Sequence, residues 1–173
     1  MAKTDSFFIR QKVRADGTNY VQETIDLGAF VDALGRSVLK IHSVSVQWAD
    51  DSGVGNSFGV TAAPGTANLN WQLSTQSQSA LVYADDRSLI SSGSLVLHNA
   101  SSTGGITTNM TEMMDINPET WKNGYTVAVE AMYLGTEQSV APSTGNVDVT
   151  VVLECTVETL SKEAAMALAL SQQ

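Results

Sequence analysis

Cysteine is almost missing from this chain: Cys155 is the only one among 173 residues. No intrachain disulfide can form, so the fold holds without covalent staples, as suits a reducing compartment. Cys155 lies on the apolar side of an alternating run, where a cysteine acts as a small hydrophobe, and a core position is expected for it. Charge is also scarce, at 16% of residues, against about a quarter in ordinary globular proteins. Ser, Thr, Asn, Gln and Gly fill the polar role. Such a surface suits extensive protein contacts, because few charges need desolvating. No apolar stretch approaches the roughly 20 residues of a membrane helix. The opening MAKTDSFFIRQKVR holds no apolar core of signal-peptide length, so synthesis in a cytoplasm without a signal peptide is expected.

Catalytic signatures are missing as well. There is no G-x-S-x-G, P-loop, G-x-G-x-x-G, H-E-x-x-H or C-x-x-C, and the two histidines, His42 and His98, stand apart from any ligand-spaced cluster. No enzyme activity, metal or cofactor is expected. Asp50-Asp51, with loop carbonyls, has the ligand chemistry for a calcium ion but lacks the D-x-[DN]-x-[DN]-G spacing of a calcium loop. The sequons at Asn99 and Asn109 are of a kind that Ser/Thr-rich chains produce by chance.

What is present is a charge asymmetry and a repeated β pattern. Lys3, Arg10, Lys12 and Arg14 against Asp5 give the first 14 residues +3, while 5 Lys/Arg and 17 Asp/Glu give the rest −12. A basic end on an acidic body points to a polyanion, or to another copy's acidic surface, as partner. The chain length and 43% hydrophobic content fit one domain with a core.

Val147 to Val157 is the most regular stretch. Val147, Val149, Val151, Leu153, Cys155 and Val157 share one side, opposite Asp148, Thr150, Glu154 and Thr156, as in a half-buried strand. Ser6 to Arg14 alternates too, with Phe7, Ile9, Gln11 and Val13 inward and Arg10, Lys12 and Arg14 following Phe8 outward. It reads as an edge strand guarded by cations, or as a cationic ribbon facing a partner. The Asp16-Gly17 turn leads to a strand over Asn19 to Leu27, giving a first hairpin or a long jelly-roll connection. Gly28 to Arg36 is an irregular link. In Ser37 to Trp48 the apolar phase switches at His42-Ser43, the mark of a β-bulge, and His42 is expected to be a hydrogen-bonded strand residue.

Further strands are expected at 58–60, at Leu69 to Leu73, at Leu81 to Ala84, at Leu89 to Leu97 and, unbroken, at Tyr125 to Tyr133. Ala49 to Asn56, Ala62 to Asn68, Asn99 to Thr108 and Gly135 to Asn146 read as loops, and Asp85-Asp86-Arg87 as a turn or a solvated charge cluster. Met110, Met113, Met114 and Ile116 suggest a docked segment. Asn117 to Trp121 suggests one helical turn with Pro118 at its first position. The strands at Tyr125 and Val147 are expected to be antiparallel neighbours. Trp48 and Trp71 are in phase with apolar neighbours and read as core more readily than as a sugar platform with Trp121.

From Thr159 the character changes. SKEAAMALAL is strong helix-forming sequence, capped by Thr159 or Ser161, with Glu163 at the positive end of the dipole. Leu160, Ala164, Ala167 and Leu168 or Leu170 form its apolar side. The expected organisation is a β-sandwich over 1–158 and a helix over 159–173, packed on the domain or on a neighbouring subunit. About eight strands then give an all-β, single-domain, antiparallel sandwich, an eight-stranded jelly roll with a short C-terminal helix.

This layout, with its basic N-terminal strand (Arg10, Lys12, Arg14), neutral loops and terminal helix, resembles the single jelly-roll major capsid proteins of icosahedral viruses. The resemblance covers most of the chain as architecture and carries no short motif. It implies a self-assembling virion shell subunit whose partners are other copies of itself and a second capsid subunit where one is needed. The implied contacts are the N-terminal strand, Met110, Met113 and Met114, and the helix through Leu160 and Leu168. The basic stretch is far shorter than a long Arg-rich arm, so nucleic acid or an internal membrane is the weaker expected partner. A phage tail-tube or head-decoration protein, and a carbohydrate-binding sandwich using Trp and loop carboxylates with calcium, are the alternatives.

Overall fold

The computed structural model describes residues 4–32, 36–50, 65–99, 109–140 and 146–172. Its elements are β1 (Phe7–Arg14), β2 (Val21–Asp26), β3 (Ser37–Ala49), β4 (Gly65–Ser74), β5 (Leu89–Asn99), β6 (Asn109–Ile116), β7 (Tyr125–Val127), β8 (Ala131–Gln138), β9 (Asp148–Thr159) and α1 (Lys162–Ser171).

The pairing is that of one long antiparallel ribbon. β4 pairs with β5, β3 with β7, β2 with β8 and β1 with β9. Rolling the ribbon brings β9 beside β3 and β8 beside β4. The result is two sheets, ordered β1-β9-β3-β7 and β2-β8-β4-β5-β6. This is a jelly roll, with β6 added beyond the eight strands of the roll. Each sheet buries one side of its alternating strands on the other: Leu39, Ile41, Val44, Val149, Val151, Leu153 and Cys155 from the first, Leu69, Trp71, Leu73, Leu95, Leu97, Met132 and Leu134 from the second. β3 keeps both halves of its pattern in this core through the register shift between Ile41 and Ser43, the bulge that the phase switch predicts.

Several expectations change. β1 and β2 form no hairpin: the Asp16–Asn19 turn, with Gly17 at φ +56°, carries the chain from one sheet to the other. Tyr125 to Tyr133 is broken into β7 and β8, because the chain leaves β3 after Val127 and joins the other sheet at Ala131. β8 and β9 are therefore not neighbours. Leu81 to Ala84 is loop, its Val82 N–H bonded to the buried Gln72 side chain rather than to a ladder. β4 starts at Gly65, inside the expected loop, and Met110 to Ile116 is a ladder-forming strand on β5 rather than a docked segment. The expected strand at 58–60, Asp51 and most of the Asn99–Thr108 loop lie outside the described residues.

The helix begins at its Ser161 cap, whose side chain accepts from the Ala164 N–H. Its buried side is Leu160, Ala165, Leu168 and Ala169, set on Val38 and Ala128. Ala164, Ala167 and Leu170 lie off that side, and Leu170 is 69% exposed. Gln172 explains the rotation. It is buried and pinned to the sheet, and residues three, four and seven positions before it must share its side of the helix.

Candidate interaction surfaces

Among the described residues four strands lie at sheet edges: β1 and β7 in the first sheet, β2 and β6 in the second. An edge strand offers unpaired N–H and C=O groups to any extended neighbour, so what covers each edge decides what the molecule can bind.

One edge, that of β7, is closed from within the chain. The Gln172 side chain donates from Nε2 to the Thr126 carbonyl (2.6 Å) and accepts at Oε1 from the Ala128 N–H (2.9 Å), doing for β7 what a neighbouring strand's peptide would do. The Gln172 carbonyl accepts from Thr75 Oγ1 and Gln76 Nε2, fixing this cap to the loop after β4. β2 is held to the same loop through Gln22, which accepts from the Gln78 N–H and donates to Ser77 Oγ.

β1 is different. Its outward side carries Phe8, Arg10, Lys12 and Arg14, and Phe8 is 55% exposed. The Arg10 guanidinium lies 5.6 Å from the Phe8 ring centroid, in cation–π range. Arg14 grips Asp148 with Nε on Oδ1 (2.7 Å) and Nη2 on Oδ2 (3.0 Å), and Lys12 Nζ reaches Oδ2 at 3.1 Å. Arg14 foremost, then Lys12, holds the Asp148 carboxyl below the ordinary carboxylate range against the opposing effect of burial. Asp148 thus offsets part of the stripe, while the Lys12 and Arg14 side chains stay more than half exposed.

β6 is the acidic counterpart. Met113 (45% exposed), Met110 and Met114 are open to solvent, beside Glu112 and Asp115. The register shifts between Ser92 and Gly93, leaving Asp115 as the extra residue. Gly93 permits this close approach, since a Cβ there would lie 2.6 Å from the Met113 carbonyl oxygen. The Trp48 indole donates to Glu112 Oε1 at 3.3 Å, which fixes that carboxylate toward the first sheet.

The structure thus places the residues singled out from the sequence on three separate surfaces: Arg10, Lys12 and Arg14 on β1, Met110, Met113 and Met114 on β6, and Leu160 and Leu168 under α1. The last two are turned inward against this chain's own sheet. Phe8, Glu112 and Gln172 carry more of the surface chemistry than their sequence context signals. Phe8 was in phase with the arginines, but nothing local marks Gln172.

Other candidates are core or turn residues. Trp48 and Trp71 are buried, and Trp121 stands apart from them against Tyr125, ring centroids 5.9 Å apart. His42 Nε2 bonds with Thr156 Oγ1 at 2.9 Å. Asp86 caps its own turn through the Ser88 hydroxyl and N–H, which lower its pKa. Burial, with Glu154 nearby, pushes the Cys155 thiol up to about 12, so it is inert at neutral pH. Among the described residues no group of three or more His, Cys, Asp and Glu could hold a metal ion, and no helix is long and apolar enough to cross a membrane.

No protein-family model matches the chain, and no curated protein is similar to it in sequence. Solved structures similar to it include VP1 of Trichodysplasia spinulosa-associated polyomavirus in complex with sialylated precision glycooligomers, at TM-score 0.39 and 8% identity over 88% of this chain and 95% of that one. Desmodium yellow mottle tymovirus gives TM-score 0.32 and 10% identity over 90% and 88%. Mud crab dicistrovirus gives 0.35 and 10% over 91% and 70%. All three are virus structures, and the likeness is one of architecture.

Proposed function

We propose that this chain is a self-assembling structural protein, a subunit of a virion shell that acts through contacts between copies. The observation that supports this most directly is where its exposed large side chains lie. Among the described residues, four of the nine exposed large hydrophobics, Phe8, Met110, Met113 and Met114, sit together on two edge strands, β1 and β6. Exposed apolar groups on a strand edge suit protein partners more than a small ligand. Arg10, Lys12 and Arg14 with the three methionines are the proposed contacts. Leu160 and Leu168 serve them indirectly, by seating the helix that closes the β7 edge.

Each contact is modest, and closed symmetry makes many modest contacts collectively strong. Negative-stain electron microscopy of the purified chain, with size-exclusion chromatography across salt concentrations, tests the reading. Uniform shells are the expected outcome. Rings or tubes would indicate a tail-tube or decoration role, and a monomer under all conditions would count against assembly by this chain alone.

A further inference from the structure

We infer that β1 of one copy pairs edge to edge, antiparallel, with β6 of a second copy, so that the first sheet of each subunit continues into the second sheet of the next. The inference rests on the self-assembly reading and gives it a specific joint.

Three observations converge on a second copy as the occupant. First, β1 and β6 are each eight residues long, whereas β7 is capped by Gln172 and β2 is tied to its loop by Gln22. Second, the charges are complementary. β1 presents Arg10, Lys12 and Arg14, offset in part by Asp148, and β6 carries Glu112 and Asp115 with no cation. Like charges facing each other oppose β1–β1 and β6–β6 pairing, while β1–β6 pairing brings opposite charges together; the same side chains reject the wrong partner and admit the right one.

Third, a single antiparallel register makes one ion pair and one apolar contact together, with Asp115 falling opposite Phe7. With Arg10 opposite Glu112, Phe8 falls opposite Met114, Ile9 opposite Met113 and Lys12 opposite Met110. Phe8, Arg10 and Lys12 share the outer side of β1, and Met114, Glu112 and Met110 share the side of β6 that continues Leu95 and Leu97, so the ion pair and the Phe–Met contact form on one face when the second copy is turned over relative to the first. Trp48 already holds Glu112 in place. Because the two edges differ, the joint is heterologous: each subunit offers one of each, and in a shell the contact repeats head to tail around a symmetry axis.

The test uses the full chain. Arg10→Glu alone and Glu112→Arg alone should each abolish the assembled peak in size exclusion, and the double exchange should restore it. Independently, Arg10→Cys with Glu112→Cys, and Ile9→Cys with Met113→Cys, should give a ladder of linked species on a non-reducing gel after mild oxidation of assembled protein. Adjacent positions are used because neighbouring antiparallel pairs differ in Cα separation. A ladder from either pair supports the joint even if the charge variants fold poorly. Particles that form from the wild type, with no ladder from either pair and no rescue by the exchange, would overturn the joint and leave self-assembly standing. A wild type that stays monomeric at every salt concentration would overturn both.

Discussion

Asp148 is only 5% exposed and holds two cations of β1 across 136 and 134 positions of chain. Asp148→Asn should therefore cost about 1–2 kcal/mol, the range for hydrogen bonds to charged groups discounted for exposed partners. Its pKa is depressed in the folded state, so its contribution is present above the unfolded value, near 3.8. That contribution is lost as pH falls through the lower folded value. Urea midpoints of wild type and variant should differ at pH 7 and converge as the pH drops below about 4. A constant difference across that window would show that the carboxylate's charge is not the source. Gly93 makes a second residue-scale case. A Cβ there would also lie 2.9 Å from Trp71 Nε1, so Gly93→Ala should destabilise by about 1–3 kcal/mol in the same assay, as overpacking does.

At the scale of elements, α1 and its cap are the informative pair. Gln172→Ala removes both bonds to the β7 edge and leaves the buried Ala128 N–H without its acceptor. A loss of about 1–3 kcal/mol is expected on urea unfolding, the cost of an unsatisfied buried group. An unchanged midpoint would mean that water replaces the amide without penalty. Nothing near Gln172 in the sequence announces this role, because its partners lie more than 40 positions away. The periodic strands were legible for the opposite reason. Alternation in Phe7–Val13 and Val147–Val157 reports which side of each strand is buried, and the phase switch at His42 reports the bulge, all from neighbours in sequence. Alternation does not report the partner. It reads the same in Tyr125–Val127 and Ala131–Tyr133 although these lie in different sheets, and the Asp-Gly turn after β1 serves a change of sheet as readily as a hairpin. The basic stripe and the methionine cluster were legible as candidates, but their placement on two edges needed the roll.

For the whole molecule, the roll joins the most distant parts of the chain, β1 with β9 and β2 with β8. Such long-range pairing must close large loops before any contact rewards it, so stopped-flow refolding should relax over about milliseconds to seconds. A microsecond relaxation would contradict a roll formed in one cooperative step. The position of β9 has a further bearing on how the protein is made. β9 lies between β1 and β3, so the first sheet is two unjoined pieces until Asp148–Thr159 exists. On a ribosome adding about 5–20 residues per second, the roughly 100 residues after β3 take about 5–20 s. During that interval β1 waits with both sides open, while β6 emerges well before β9. Crowded polysomes would bring such half-made edges together, so the timing of synthesis, and whatever shields nascent chains, is part of what yields a correctly closed roll.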